Sequence, residues 1–179
     1  MEWLIIVAIL MFVIAPVMWL KPSPKQKRQM ALRESAKQQG VTIEMDKPPL
    51  HHFRGTMPAY RWCYPQGAPG PTFVLLREAS ASEALEPYHA GWRWRIAPLR
   101  ALPDNATEPF KALLERLPQD ALVIESTPGS LTLWWWESQN AERFTTYVDD
   151  FEQLKRSLSG LSDKPISKPL QTQSVGRHL

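Results

Sequence analysis

The sequence predicts an α+β protein: an N-terminal transmembrane helix plus one small domain with a mainly antiparallel sheet packed by helices. Three observations carry this. Trp3 to Leu20 (WLIIVAILMFVIAPVMWL) holds no charged residue. Further on, strand-like alternation recurs without regularly interleaved helices, which argues against a parallel doubly wound sheet. The last periodic segment carries a strong amphipathic stripe, suited to covering one sheet face.

The apolar run spans roughly 27 Å as a helix at ~1.5 Å per residue, close to a hydrocarbon core of roughly 30 Å. Trp3 and Trp19 mark its ends, where indoles favour the membrane interface. Pro16 predicts a slight kink, which membrane helices tolerate. A cleaved signal peptide needs a basic start and a small-residue cleavage site; Met1-Glu2 is acidic and no A-x-A follows.

Ser23-Pro24 with Gln26 has the form of a capping box, and Gly40 is a natural stop, so residues 24–39 read as a basic helix. Val41 to Met45 reads as a strand, and residues 46–56 as a loop. From Ala59 to Tyr64, Tyr60, Trp62 and Tyr64 share one face and Arg61 and Cys63 the other. PQGAPGP, residues 65–71, is an exposed turn or loop. Phe73 to Leu76 is a short strand. In the next strand Trp92, Trp94 and Ile96 oppose Arg93 and Arg95. A helix is expected from Glu108 to Leu117. Ala121 to Ser126 and Leu131 to Glu137 then flank Thr127-Pro128-Gly129-Ser130 as a hairpin. Phe144, Tyr147, Val148, Phe151, Leu154, Leu158 and Leu161 form the final stripe. The expected division is an anchor over 1–20, a basic juxtamembrane helix over 21–40, an α+β domain over 41–161 and a flexible tail over 162–179.

Composition bounds the chemistry. The 179 residues are 44% hydrophobic and 22% charged, a globular balance. One cysteine, Cys63, excludes an internal disulfide framework and a Cys-rich zinc site. The net charge of +3 invites a nucleic-acid reading, but the excess lies in one place. Lys21, Lys25, Lys27, Arg28, Arg33 and Lys37 stand against Glu34 alone, while residues 38–179 hold 15 Lys/Arg and 16 Asp/Glu. With all nearby cations C-terminal to the apolar helix, the positive-inside rule puts the domain in the cytoplasm and the N-terminus outside. Trp3, Trp19, Lys21, Lys25, Lys27 and Arg28 are the candidate membrane-interface residues, with the lipid bilayer as partner. The Asn105-Ala106-Thr107 sequon would be inert on that side.

Catalytic, metal and cofactor motifs are absent. His51 and His52 sit in a Pro-bounded loop and His89 stands alone, with no i, i+4 pair. No nucleophile elbow, P-loop or dinucleotide fingerprint occurs, and no small-molecule substrate is evident. Interleaved Tyr60-Arg61-Trp62 and Trp92-Arg93-Trp94-Arg95 could form a single-strand nucleic-acid platform. Strict alternation instead separates the rings from the arginines, and rings prefer burial. Trp134-Trp135-Trp136 cannot all point one way. Trp135 is the candidate exposed anchor for a partner, and Arg61, Arg93 and Arg95 are further candidate contacts.

The stretch Leu20-Lys21-Pro22-Ser23-Pro24-Lys25-Gln26-Lys27-Arg28, with Gly40-Val41 following, resembles the bacterial preprotein translocase accessory subunit YajC. That family has an apolar helix, then at once a block of the form R-P-x-x-K-[KR], a polar helix and a Gly. The resemblance covers roughly the first 45 residues and extends to uncharacterised bacterial inner-membrane proteins carrying the same label. YajC-like proteins are shorter and lack a Trp-rich region like residues 57–161. The resemblance implies a single-pass inner-membrane topology and an accessory role. The leading expectation is a non-enzymatic interaction module with a membrane-protein partner. A tethered single-strand nucleic-acid binder is second, and an enzyme with a dispersed site using His51, His52 or His89 is third.

Overall fold

Capping chemistry sets the entry to the domain. The computed structural model describes residues 2–19 and 23–163. Helix α1 (Glu2–Trp19) coincides with the apolar run. Helix α2 (Pro24–Gln38) starts as Ser23 dictates. Ser23 Oγ accepts from the Gln26 N–H at 3.2 Å, and Gln26 Oε1 accepts from the Ser23 N–H at 2.8 Å. The helix stops before Gly40, whose φ of 80° is the left-handed conformation that glycine adopts freely.

Among the described residues no helix is long and apolar enough to cross a membrane. The side chains described in α1 are those of Trp3–Phe12 and Ile14, a run of roughly 18 Å at ~1.5 Å per residue. The transmembrane part of the expected fold therefore gains no support from these residues. Lys21, the Trp19 side chain and tail residues 164–179 lie outside them.

Seven strands follow: β1 (Thr42–Asp46), β2 (Met57–Cys63), β3 (Phe73–Arg77), β4 (Glu86–His89), β5 (Trp92–Ile96), β6 (Ala121–Ser126) and β7 (Ser130–Trp135). They form one sheet in the order β1-β2-β7-β6-β3-β5-β4, every neighbouring pair antiparallel. The sequence predicts all of these except β4, whose Pro87 argues against a strand. Pro87 is tolerated because β4 lies at the sheet edge, where one side of the strand needs no ladder bond.

Helices α3 (Asp104–Arg116) and α4 (Ala141–Leu158) complete the chain. Helix α3 begins earlier than the expected Glu108, so Pro109 lies inside it. The end of α3 is satisfied from the sheet. Arg77, only 7% exposed, donates to the carbonyls of Leu117, Pro118 and Ala121 at 3.1, 2.8 and 3.0 Å. Its guanidinium also lies 4.4 Å from the Trp92 ring centre, a cation–π contact. Burial lowers the pKa of this guanidinium, and Asp120 opposes the shift.

All three domain helices cover the same sheet face, with α4 packed against both α2 and α3. Trp62 stacks on Phe151 at 4.4 Å, Trp135 stacks on Phe144 at 5.2 Å, and Tyr60 closes on both Trp135 and Phe144. On the α3 side Phe73 meets Phe110 and Trp94. Rings thus line the helix side of the sheet, as alternation predicted for Tyr60, Trp62, Trp92 and Trp94.

Two expectations are corrected. Trp135 is not an exposed anchor: α4 covers it completely. Its neighbour Trp134 is buried on the opposite face, and the half-exposed indole is Trp136, beside Phe53 at 6.1 Å. The PQGAPGP segment is not wholly exposed. A Cβ on Gly70 would lie 2.2 Å from the Tyr64 ring, and Ala68 and Pro69 carbonyls accept from the Gly160 N–H. The loop end is pinned between β2 and the end of α4.

Phe144→Ala should cost about 3–5 kcal/mol, because it empties the space between Tyr60 and Trp135. Urea unfolding of the full chain in mild detergent measures this. Phe12→Ala on α1, where the ring is exposed, should leave that midpoint unchanged.

Candidate functional site

The helices bury one face of the sheet and leave the other to loops and solvent. Cross-strand register assembles a polar row on that open face. Arg61 of β2 lies opposite Thr132 of β7, Thr132 opposite Glu125 of β6, and Glu125 opposite Val74 of β3. Trp134 sits two residues along from Thr132 and donates its indole N–H to Glu125 Oε2 at 3.2 Å. The end of β1 and the loop after it supply Asp46, Lys47 and Pro49 as one wall, and the β6–β7 turn with the start of β7 supplies Thr127 and Ser130 as another. Together they enclose an open groove of about 460 Å³.

Charge is distributed unevenly in this groove. Arg61 is held by Glu44 and by Asp46, the latter at 2.9 Å. Arg95 donates to the Pro49 carbonyl, which ties the groove wall to β5. Glu125 forms no salt bridge among the described residues. Burial raises its carboxyl pKa and Asp46 adds to this, while the Trp134 bond, Arg61 and Arg95 oppose it.

The candidate contacts proposed from the sequence fall into two groups. Arg61 and Arg95 come together around Glu125. Arg93 is on the same face but farther out, bound to Glu78 and to the carbonyls of Glu83 and Leu85. With each arginine engaged and Trp62, Trp92 and Trp94 buried behind the sheet, the stacking platform of the nucleic-acid reading does not form. His51 and His52 lie together on the surface with ring centres 4.0 Å apart, and His89 bonds Glu115 at 2.8 Å. Among the described residues no three His, Cys, Asp or Glu side chains gather as metal ligands. Sequence reading missed Glu125 and Thr132. Only strand register brings them opposite Arg61.

A second polar centre joins α2 to the sheet. Arg33 makes a two-pronged pair with Glu137: Nε to Oε1 at 2.6 Å and Nη2 to Oε2 at 2.8 Å. The Tyr60 hydroxyl donates to the same Oε1 at 2.8 Å. Glu137 is 1% exposed and has a φ of 58°, a left-handed conformation that costs a non-glycine residue roughly 1–3 kcal/mol. The Glu137 bond raises the Arg33 pKa. Burial first, then Glu137, pushes the Tyr60 phenol well above its usual range, so it remains a donor. Leu32 and Ala36 of α2 are fully buried beside this centre. Helix α2 therefore packs into the core of the domain. Of the interface cations, Lys25, Lys27 and Arg28 remain exposed at its start.

No family model matches the chain, and no curated protein matches it. Among solved structures it aligns with the mycobacterial trehalose monomycolate transport factor A, TtfA, at 12% identity and a TM-score of 0.44. The alignment covers 72% of this chain and 93% of that one. A likeness of that degree says nothing of what this chain does.

Arg33→Met should destabilise the domain by about 3 kcal/mol, because it leaves Glu137 buried and unpaired. Arg33→Met combined with Glu137→Gln should recover most of the loss, and hydrogen exchange at Leu32 and Ala36 reports α2 docking directly. Glu125 titrates above its ordinary 4.5 in the folded chain. Its contribution is thus most favourable at low pH and is lost as pH rises through the raised value. Glu125→Gln should accordingly stabilise the fold at pH 7 by under about 1 kcal/mol for a partly exposed group, read as a small rise in melting temperature, and leave the melting temperature unchanged at pH 3.

Proposed function

We propose that this chain is a bilayer-tethered, non-enzymatic interaction module. In this reading α1 is the anchor, α2 the rigid link, and the open sheet face the surface offered to a partner. The reading is supported by the exposed apolar side chains of α1, which among the described residues are too few to cross a membrane but suit an apolar surface. Every described side chain from Trp3 to Phe12, and Ile14, is exposed, and these are apolar residues on all sides of the helix. Apolar surface costs about 25 cal/mol per Å² in water, so a helix of this kind calls for an apolar surrounding.

The link supports the same reading. Only Gln39, Gly40 and Val41 separate α2 from β1, and α2 is locked to the core through Leu32, Ala36 and the Arg33–Glu137 pair. The cations Lys25, Lys27 and Arg28 sit on the first turns of α2, where they favour a cytoplasmic domain in a bacterial inner membrane. The resemblance of residues 20–41 to YajC makes the preprotein translocase the first complex to test as a partner.

The chain should remain in the membrane pellet after alkaline carbonate extraction, and a variant lacking residues 1–20 should move to the supernatant. A C-terminal fluorescent-protein fusion should be bright and a C-terminal alkaline phosphatase fusion inactive. The reverse reporter pattern, or extraction of the full chain by carbonate, overturns the tethered reading. A photoreactive residue at Ile9 should crosslink to a translocase subunit if the YajC resemblance carries function.

A further inference from the structure

The open-face groove contains polar groups that the fold itself does not use. Thr132 is 2% exposed and lines the groove, yet its hydroxyl has no hydrogen-bond partner among the described residues. The hydroxyl of Ser130 likewise has none, although its backbone N–H bonds Thr127 Oγ1 at 3.2 Å. Glu125 accepts one bond, from the Trp134 indole, and forms no ion pair. This contrasts with Glu137 across the sheet, whose two oxygens accept three bonds and face a guanidinium.

The neighbouring charges narrow the ligand. Arg61 is already held by two carboxylates, Glu44 and Asp46, so that trio carries a net negative charge. Arg95 donates to the Pro49 carbonyl, which leaves its charge uncompensated, and with Arg61 it acts on Glu125, so that with Lys47 counted the charges around the groove balance. Lys47 lines the groove, is exposed and makes no ion pair among the described residues. A half-buried carboxylate with two unused hydroxyls on the neighbouring strand matches an ammonium group. Such a group has three donors and no acceptor, and bonds to a charged partner are about twice as strong as neutral ones. The groove volume of about 460 Å³ exceeds what an ammonium alone would fill. It leaves room for a four-carbon stem and adjoining peptide groups beside the Asp46–Pro49 wall.

We propose that this groove receives a lysine side chain of a partner polypeptide, with the ammonium on Glu125 and hydrogen-bonded to the Thr132 and Ser130 hydroxyls. The proposal rests on the reading of the open face as the module's binding surface. Lys47 then acts as a local competitor, a cation of this chain at the same mouth.

The test uses the full chain in lipid nanodiscs and two peptides, Ac-Ala-Lys-Ala-NH2 and its norleucine analogue, which keeps the stem and lacks the ammonium. The readout is the Trp134 indole N–H resonance in ¹H–¹⁵N spectra. The lysine peptide should shift it saturably and the norleucine peptide should not. Glu125→Gln should weaken binding about tenfold, the loss of one charge-assisted bond. Thr132→Val, which keeps the side-chain shape, should weaken it less, and Lys47→Gln should strengthen it. Equal shifts from both peptides, or undiminished binding in Glu125→Gln, overturn the proposal. Equal affinity for the lysine peptide and for n-butylammonium removes the polypeptide source. A photoreactive residue at Ser130 separates the two levels. Crosslinking to a protein in cells without lysine selectivity keeps the open-face reading and rejects the ammonium site. Lysine selectivity without any such crosslink does the opposite.

Discussion

The buried carboxylate of Glu137 is the constraint on which the arrangement of the chain depends. It stands just past β7 in a left-handed conformation, is almost wholly removed from water, and is neutralised by Arg33 from a helix more than a hundred residues earlier. An unpaired carboxylate there would cost several kcal/mol. The pair therefore does more than add stability. It specifies where α2 lies against the sheet and α4.

That pairing works because the aromatic layer around it is already ordered. Tyr60 donates to Glu137 while its ring packs on Phe144 and Trp135. The same α4 face reaches Trp62 through Phe151. Ring area supplies the main cohesion, since the indole N–H groups of Trp62, Trp92 and Trp135 are buried without partners among the described residues. Each such group costs roughly 1–3 kcal/mol, which the large apolar area of each ring must offset. With all three helices on one side, the opposite face is left with mixed polar residues, and it is there that unused hydrogen-bonding groups collect.

The two polar centres show how burial divides labour between similar residues. Glu137 is fully paired, and its role is internal. Glu125 is partly buried, retains one indole bond and faces a groove. Arg33 and Arg77 are bound to a carboxylate and to helix-terminal carbonyls, so neither is free for a surface ligand. Arg61 and Arg93 are similarly engaged by Glu44, Asp46 and Glu78. The arginines of the sheet are thus engaged, while Lys25, Lys27 and Arg28 remain exposed on the first turns of α2.

Much of the local structure was legible in the residues. The Ser23–Gln26 capping box, the stop at Gly40, the β6–β7 hairpin, the ring and arginine faces of β2 and β5 and the inner stripe of α4 all follow from short-range rules of capping, period and turn chemistry. The α+β class followed from their order. Three features did not follow. Trp135 could be assigned to neither face as buried or exposed, because both faces of β7 are covered at that point, one by α4 and the other by the loop after β1. The membership of α2 in the core depended on Arg33 meeting Glu137. The groove depended on Arg61, Thr132 and Glu125 falling on one row of three strands. Sequence by itself determined the elements, because hydrogen bonding and hydrophobic period act over a few residues. Tertiary structure alone decided the pairings, because strand register and the burial of a charge are set by partners distant along the chain.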